Sequence, residues 1–162
     1  MIRKILSAVG VIVCSLIIAS CAESQEKTCK KIAAAFEKND IAEAAELCDK
    51  LYSQLPECSV QTLGDLTLSY FSLTVFNSSN ANEEETYAMM QRTVDCYDAA
   101  MKKNPTEAKA LWKKINDESL EHGHPFDLPV IADAFRTQIA LQKALEKTDT
   151  ALPDSVSATD SI

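Results

Sequence analysis

Ser59-Val60-Gln61-Thr62-Leu63-Gly64-Asp65-Leu66-Thr67-Leu68-Ser69-Tyr70-Phe71-Ser72-Leu73-Thr74-Val75-Phe76 is the stretch whose reading decides the fold. Leu63, Leu66, Tyr70 and Leu73 recur at spacings of three and four, the period of one helical face. Phe71 and Val75 add a second apolar stripe. A helix apolar on more than one side belongs in the middle of a core, with other helices around it.

Working outward, the same period recurs in both directions. Towards the N-terminus, Cys29, Ile32, Ala33 and Phe36 form a buried stripe of a first helix beginning near Lys27. Asn39-Asp40 breaks it. Asp40 is placed to cap a second helix, with Glu43 three residues on in a capping-box-like arrangement. That helix buries Ile41, Ala44, Ala45, Cys48, Leu51 and Leu55, and Pro56 ends it. Towards the C-terminus, 77–82 is a polar loop, and Glu83, Glu84 and Glu85 favour the positive end of a fourth helix. Its inner stripe reads Tyr87, Met90, Val94, Tyr97 and Met101. Asn104-Pro105-Thr106-Glu107 is a helix start, a cap followed by proline at the first helical position. The fifth helix runs to about Glu121 through Ala108, Leu111, Trp112 and Ile115. After a break at 122–127, a sixth helix from about Pro129 to Lys147 buries Val130, Ile131, Ala134, Phe135, Ile139, Leu141 and Leu145. No segment has the period of a strand. The expected fold is all-α: about six helices in antiparallel hairpins.

The N-terminus reads differently. Arg3 and Lys4 precede an apolar run from Ile5 to Ala19, shorter than the ~20 residues of a membrane-spanning helix. Basic start, short apolar run and small residues describe a secretory leader over 1–20. Ile18-Ala19-Ser20-Cys21 resembles the lipobox of bacterial lipoproteins. The resemblance implies diacylglycerol on the Cys21 thiol, cleavage before Cys21 and acylation of the new N-terminus, with palmitate as an expected chain. The protein is then held to a bacterial membrane through lipid at Cys21. Ala22, where aspartate marks inner-membrane retention, favours the outer membrane facing the periplasm; Glu23 and Glu26 resemble the tethers of surface-exported lipoproteins. Residues 21–27 are expected as a tether, 28–147 as one helical domain, and 148–162, rich in Ser, Thr, Asp and Ala, as a disordered tail.

Composition agrees with a small exported helical domain. The 162 residues carry 16 basic and 24 acidic side chains and three glycines. Loss of Arg3 and Lys4 with the leader leaves 14 basic residues and a net charge of −10. That charge argues against nucleic acid as a partner. Cys14 leaves with the leader and Cys21 is lipidated, so Cys29, Cys48, Cys58 and Cys96 remain. An even number in an exported chain reads as two disulfides, with three connectivities open. Cys29 and Cys48 sit nearly symmetrically about the Asn39-Asp40 turn, and Cys58 and Cys96 about the loop at 77–82. Helical hairpins would therefore be stapled as Cys29–Cys48 and Cys58–Cys96.

Two stretches resemble tetratricopeptide hairpins. The first is Ala33-Ala34-Ala35-Phe36-Glu37-Lys38-Asn39-Asp40, with Ala44 and then Pro56. The second has Leu63-Gly64 early, Tyr97 and Ala100 late, and ends in Asn104-Pro105. Together they cover 28–106. Pro56 and Pro105 are 49 residues apart against ~34 in a regular repeat. The aromatic that opens each repeat is absent. The expectation is thus a TPR-like array or an ordinary helical bundle.

No nucleophile triad and no phosphate-binding glycine loop is legible, so no enzyme activity is expected. His122 and His124, with Glu121 and Asp127 nearby, are the candidate metal ligands in the 121–127 segment. Two histidines without thiolates are too few for a closed zinc site, so neither metal nor cofactor is assigned. The expected function is a lipid-anchored envelope adaptor or assembly factor, taking a protein segment on a concave face or in a groove beside the third helix. The alternatives are a metal- or small-ligand-binding lipoprotein using 121–127, and a periplasmic inhibitor or immunity protein whose acidity suits a basic enzyme.

Overall fold

A computed structural model describes residues 24–121 and 126–149. Their regular structure is entirely helical: α1 (24–37), α2 (Ile41–Tyr52), a 3-10 turn (Leu55–Glu57), α3 (Val60–Ser79), α4 (Glu83–Lys103), α5 (Pro105–Glu121) and α6 (Leu128–Asp149). The segment expected as a leader, Cys21 and the segment from 150 onward lie outside the described residues. Among the described residues no helix is long and apolar enough to cross a membrane.

Side chains fix where the helices start. Asp40 accepts from the Glu43 amide at 3.0 Å, and Ser59 from the Thr62 amide at 3.0 Å. Asn104 accepts from the Glu107 amide at 3.2 Å while its own amide donates to the Glu107 carboxylate at 3.1 Å. Such caps contribute about 1 kcal/mol each. Asn82 caps α4, whose first turn is Glu83, Glu84 and Glu85. Two turns need left-handed backbone: Asn39 (φ 57°) between α1 and α2, and Ala81 (φ 55°) between α3 and α4. α3 continues three residues beyond Phe76, so the expected loop at 77–82 shrinks to Asn80–Asn82.

α3 is central, as its apolar content requires. It packs most extensively on α4 and also contacts α2 and α5. Leu63, Leu66, Tyr70 and Leu73 are buried, and so are Thr62, Thr67 and Thr74. Thr67 and Thr74 donate back to the carbonyls of Leu63 and Tyr70 at 2.7 and 2.8 Å, which removes the penalty of burying a hydroxyl. Gly64 lets α5 approach: a Cβ there would sit 2.5 Å from Leu111 Cδ2. A brace of polar groups joins α2, α3 and α4. Tyr70 donates to Asp49 at 2.8 Å, Tyr52 donates to Asp95 at 2.6 Å, and Arg92 pairs with Asp49 over both tyrosine rings.

Several expected faces are corrected. α1 starts at 24, inside the expected tether, and Gln25 is buried. On α4 the deepest line is Met89, Thr93, Cys96 and Ala100, with Val94. Tyr87, Met90, Tyr97 and Met101 are half-buried. This second line serves α5 and α6: Tyr97 stacks on Trp112 at 5.4 Å. On α6 the buried residues are Leu128, Ala132 and Ile139, and Phe135 reaches Phe71. Val130, Leu141 and Leu145, expected inside, are 62%, 61% and 62% exposed, and Ala134 is exposed. α6 is apolar on two sides, and packing on α4 decides which one is buried.

Candidate functional site

α1 begins by docking on the start of α3. Gln25 accepts from the Ser59 amide (3.4 Å) and the Thr62 hydroxyl (3.5 Å), and donates to the Glu57 carbonyl (3.4 Å). From that anchor α1 runs beside α3 and leaves a groove of about 420 Å³ between them. α1 contributes Cys29, Ala33 and Phe36, one helical face at spacings of four and three. α3 contributes Asp65, Leu68, Ser69 and Ser72, and Glu26 and Lys30 form the rim. Glu26 and Lys30 pair across one turn at 2.7 Å and, being well exposed, add little stability.

The polar chemistry of the groove is centred on Asp65. Burial pushes its carboxyl above the usual carboxylate range, opposed by hydrogen bonds from Gln61 and Cys29. Gln61 donates at 3.0 Å. These two partners are neutral, so the carboxylate meets no cation among the residues lining the groove except rim Lys30, which is held by Glu26. Burial, and then the charge of Asp65, push the Cys29 thiol up to about 12. It is protonated at neutral pH and therefore a slow nucleophile.

The other three thiols lie inside the core, and all four cysteines are free. The expected Cys29–Cys48 and Cys58–Cys96 bridges are not formed. α3 accounts for this. Cys29 lies beside Asp65 and Cys48 beside Ser69, so both thiols have α3 residues as neighbours. Cys58 donates to the carbonyls of Gln54 (3.4 Å) and Leu51 (3.8 Å). Burial raises the Cys48 thiol to about 12 and raises Cys58 and Cys96 as well. The four thiols lie near one another, close enough that ionisation of Cys29 or Cys96 would be opposed by an ionised Cys48 or Cys58. Symmetry about a turn places two cysteines on facing helices but does not fix which neighbour each thiol meets.

His122 and His124 lie outside the described residues. Glu121 is exposed at the end of α5, and Asp127 accepts from the Val130 amide at 3.3 Å, which makes it a cap of α6. Among the described residues no group of three or more His, Cys, Asp or Glu is placed to hold a metal ion.

The sequence placed Cys29 and Phe36 on one helical face, and the structure has both lining the groove. The sequence did not single out Gln25 or Asp65. Their signal was available only as polar residues at positions that a neighbouring helix covers. No known protein family, curated protein or solved structure matches this chain.

Proposed function

We propose that this protein is a lipid-anchored adaptor of a bacterial envelope that holds a segment of another protein in the groove between α1 and α3. The observation that carries the reading is the composition of that groove. Ala33, Phe36 and Leu68 supply an apolar floor, and Asp65 supplies a partly buried carboxylate without a cation of its own. A partner segment with an apolar anchor and a nearby lysine or arginine would satisfy both, the pairing that gives an interface its specificity. Packing between helices next but one in sequence, α3 on α5 and α4 on α6, supports a stacked-hairpin reading of the TPR-like kind. The Ile18-Ala19-Ser20-Cys21 resemblance supports the anchor, and Ala22 favours the outer membrane facing the periplasm, with Glu23 and Glu26 leaving export to the surface open.

Two experiments separate the halves of this proposal. Metabolic labelling with an alkyne fatty acid should tag the wild type and not Cys21→Ser; equal labelling would remove the anchor. Affinity capture from membranes should recover one envelope protein with wild type, and several-fold less with Asp65→Asn or Phe36→Ala. Equal recovery with all three would remove the groove.

A further inference from the structure

Trp112 is 3% exposed, and its indole Nε1–H is buried with no hydrogen-bond partner. Among the described residues no other buried side-chain nitrogen or oxygen is left so. A buried donor without an acceptor gives up water and gains nothing in return, so such groups are rare unless something else supplies the acceptor. The packing of the ring fixes which way the donor points. Its Cζ3 edge meets α3, where a Cβ on Gly64 would lie 3.4 Å from it. Nε1 is at the opposite edge of the ring system and faces away from α3. On that side lies an open groove of about 390 Å³, walled by α4, α5 and the start of α6, to which α3 contributes nothing. From α5 it is lined by Lys109, Trp112, Lys113 and Asn116, a single helical face. Tyr97 and Met101 line it from α4, one turn apart. Tyr97 stacks on Trp112 with ring centroids 5.4 Å apart, and Arg136 lies over the Tyr97 ring at 5.5 Å, so both rings are held in place. An apolar wall with a few polar groups beside it is the usual make-up of a small-molecule site.

We propose that this groove binds a small organic carboxylate. The Trp112 N–H and the Lys109 ammonium take the carboxylate, and Tyr97, Trp112 and Met101 take an apolar or aromatic body. The other charges in the groove are already engaged. Lys113 is paired with Asp117, and Asp127 caps α6 by accepting from the Val130 amide. Lys109 is exposed and, like Asn116, has no side-chain partner within the described chain. It stands one turn before Trp112, so its long stem can move aside and its ammonium follow an anion to the indole edge. A charged acceptor makes a stronger hydrogen bond with an N–H than a neutral one. Asp127 lies towards the Asn116 end of the α5 face, so its charge directs the anion to the Lys109 end. One cation and one ring N–H match the single charge of a carboxylate; a phosphate brings more charge than they can meet. The groove shares no lining residue with that between α1 and α3, so it fills independently of the adaptor's partner.

Trp112 is the single tryptophan of the chain, so one indole N–H resonance reads the site directly. The test is titration of phenylacetate into the nitrogen-15-labelled full chain in detergent at neutral pH. The expected result is a downfield, saturating shift of the indole cross-peak. Acetate lacks the apolar body and phenylacetamide lacks the charge, so each should need at least about tenfold more for the same shift. Lys109→Gln changes an exposed residue and should weaken phenylacetate about tenfold with an unchanged melting temperature. Lys113→Gln should leave binding as it is, because Asp117 already holds that charge. A cross-peak unmoved by phenylacetate up to about 10 mM, an equal response to all three compounds, or a response in Lys109→Gln equal to that of wild type would each overturn the proposal.

Discussion

The hydroxyl of Tyr70, a side chain with no exposed surface, donates to the carboxylate of Asp49 at 2.8 Å. Asp49 stands on α2, and Arg92 reaches it from α4, so a single carboxylate ties three helices together. A hydrogen bond to a charged acceptor contributes more than a neutral one, about 1.5–3 kcal/mol. Asp49 is half exposed and keeps Arg92 when Tyr70 is truncated, so Tyr70→Phe should cost about 1–2 kcal/mol. Urea denaturation should show a lower midpoint with an unchanged slope. A midpoint equal to wild type would show that the hydroxyl does not matter.

Ala81 adopts φ 55° in the turn between α3 and α4, a region that a Cβ disfavours by about 1 kcal/mol or more. Ala81→Gly should therefore raise stability by roughly 0.5–1 kcal/mol, net of the entropy glycine adds to the unfolded chain. Thermal melts of the two proteins at matched concentration would read it. A fall in melting temperature would mean that the turn is not left-handed in solution.

Asp65 provides the pH test of the groove. Its folded carboxyl titrates above the unfolded value because burial disfavours the charge. The folded state then binds the proton more tightly than the unfolded state, so the ionised carboxylate destabilises above its folded pKa. That cost fades as the pH falls through the folded pKa and is gone below the unfolded pKa. Asp65→Asn should raise the melting temperature at pH 7, and the advantage should shrink progressively towards pH 3. An advantage independent of pH would assign the effect to packing and not to charge.

The thiols make a further prediction. Cys48, Cys58 and Cys96 have almost no exposed surface, while Cys29 is half-buried in the groove. Alkylation of the native protein should modify Cys29 first, slowly at pH 7 because its thiol titrates near 12, and the other three only on unfolding. Mass spectrometry after timed iodoacetamide quenching would give the order. Early modification of Cys96, or a mass lower by two hydrogens per missing thiol pair, would contradict the free, buried arrangement.

Much of the fold is legible in the residues, and the reasons differ by element. Helix starts were readable because Asp40, Ser59, Asn82 and Asn104 cap through local hydrogen bonds, which depend only on near neighbours. The central place of α3 followed from its apolar content. The buried side of α6 did not, because Val130 and Leu141 are as apolar as Leu128 and Ile139. Periodicity counts apolar residues and cannot say which of two stripes meets a neighbour. Buried threonines were missed for the opposite reason: Thr67 and Thr93 look polar in sequence, yet each satisfies its hydroxyl within its own helix. The groove was half legible. Cys29 and Phe36 read as core, and only the separation of α1 from α3 turns them into walls.

The adaptor reading is tested most directly by a photo-reactive amino acid placed at Phe36 and irradiated in living cells. The account predicts one reproducible adduct with an envelope protein. It should be lost in Asp65→Asn, lost when Cys21→Ser misplaces the chain, and absent when the probe stands at exposed Lys114 on α5. No adduct from position 36, or the same adducts from positions 36 and 114, would contradict it.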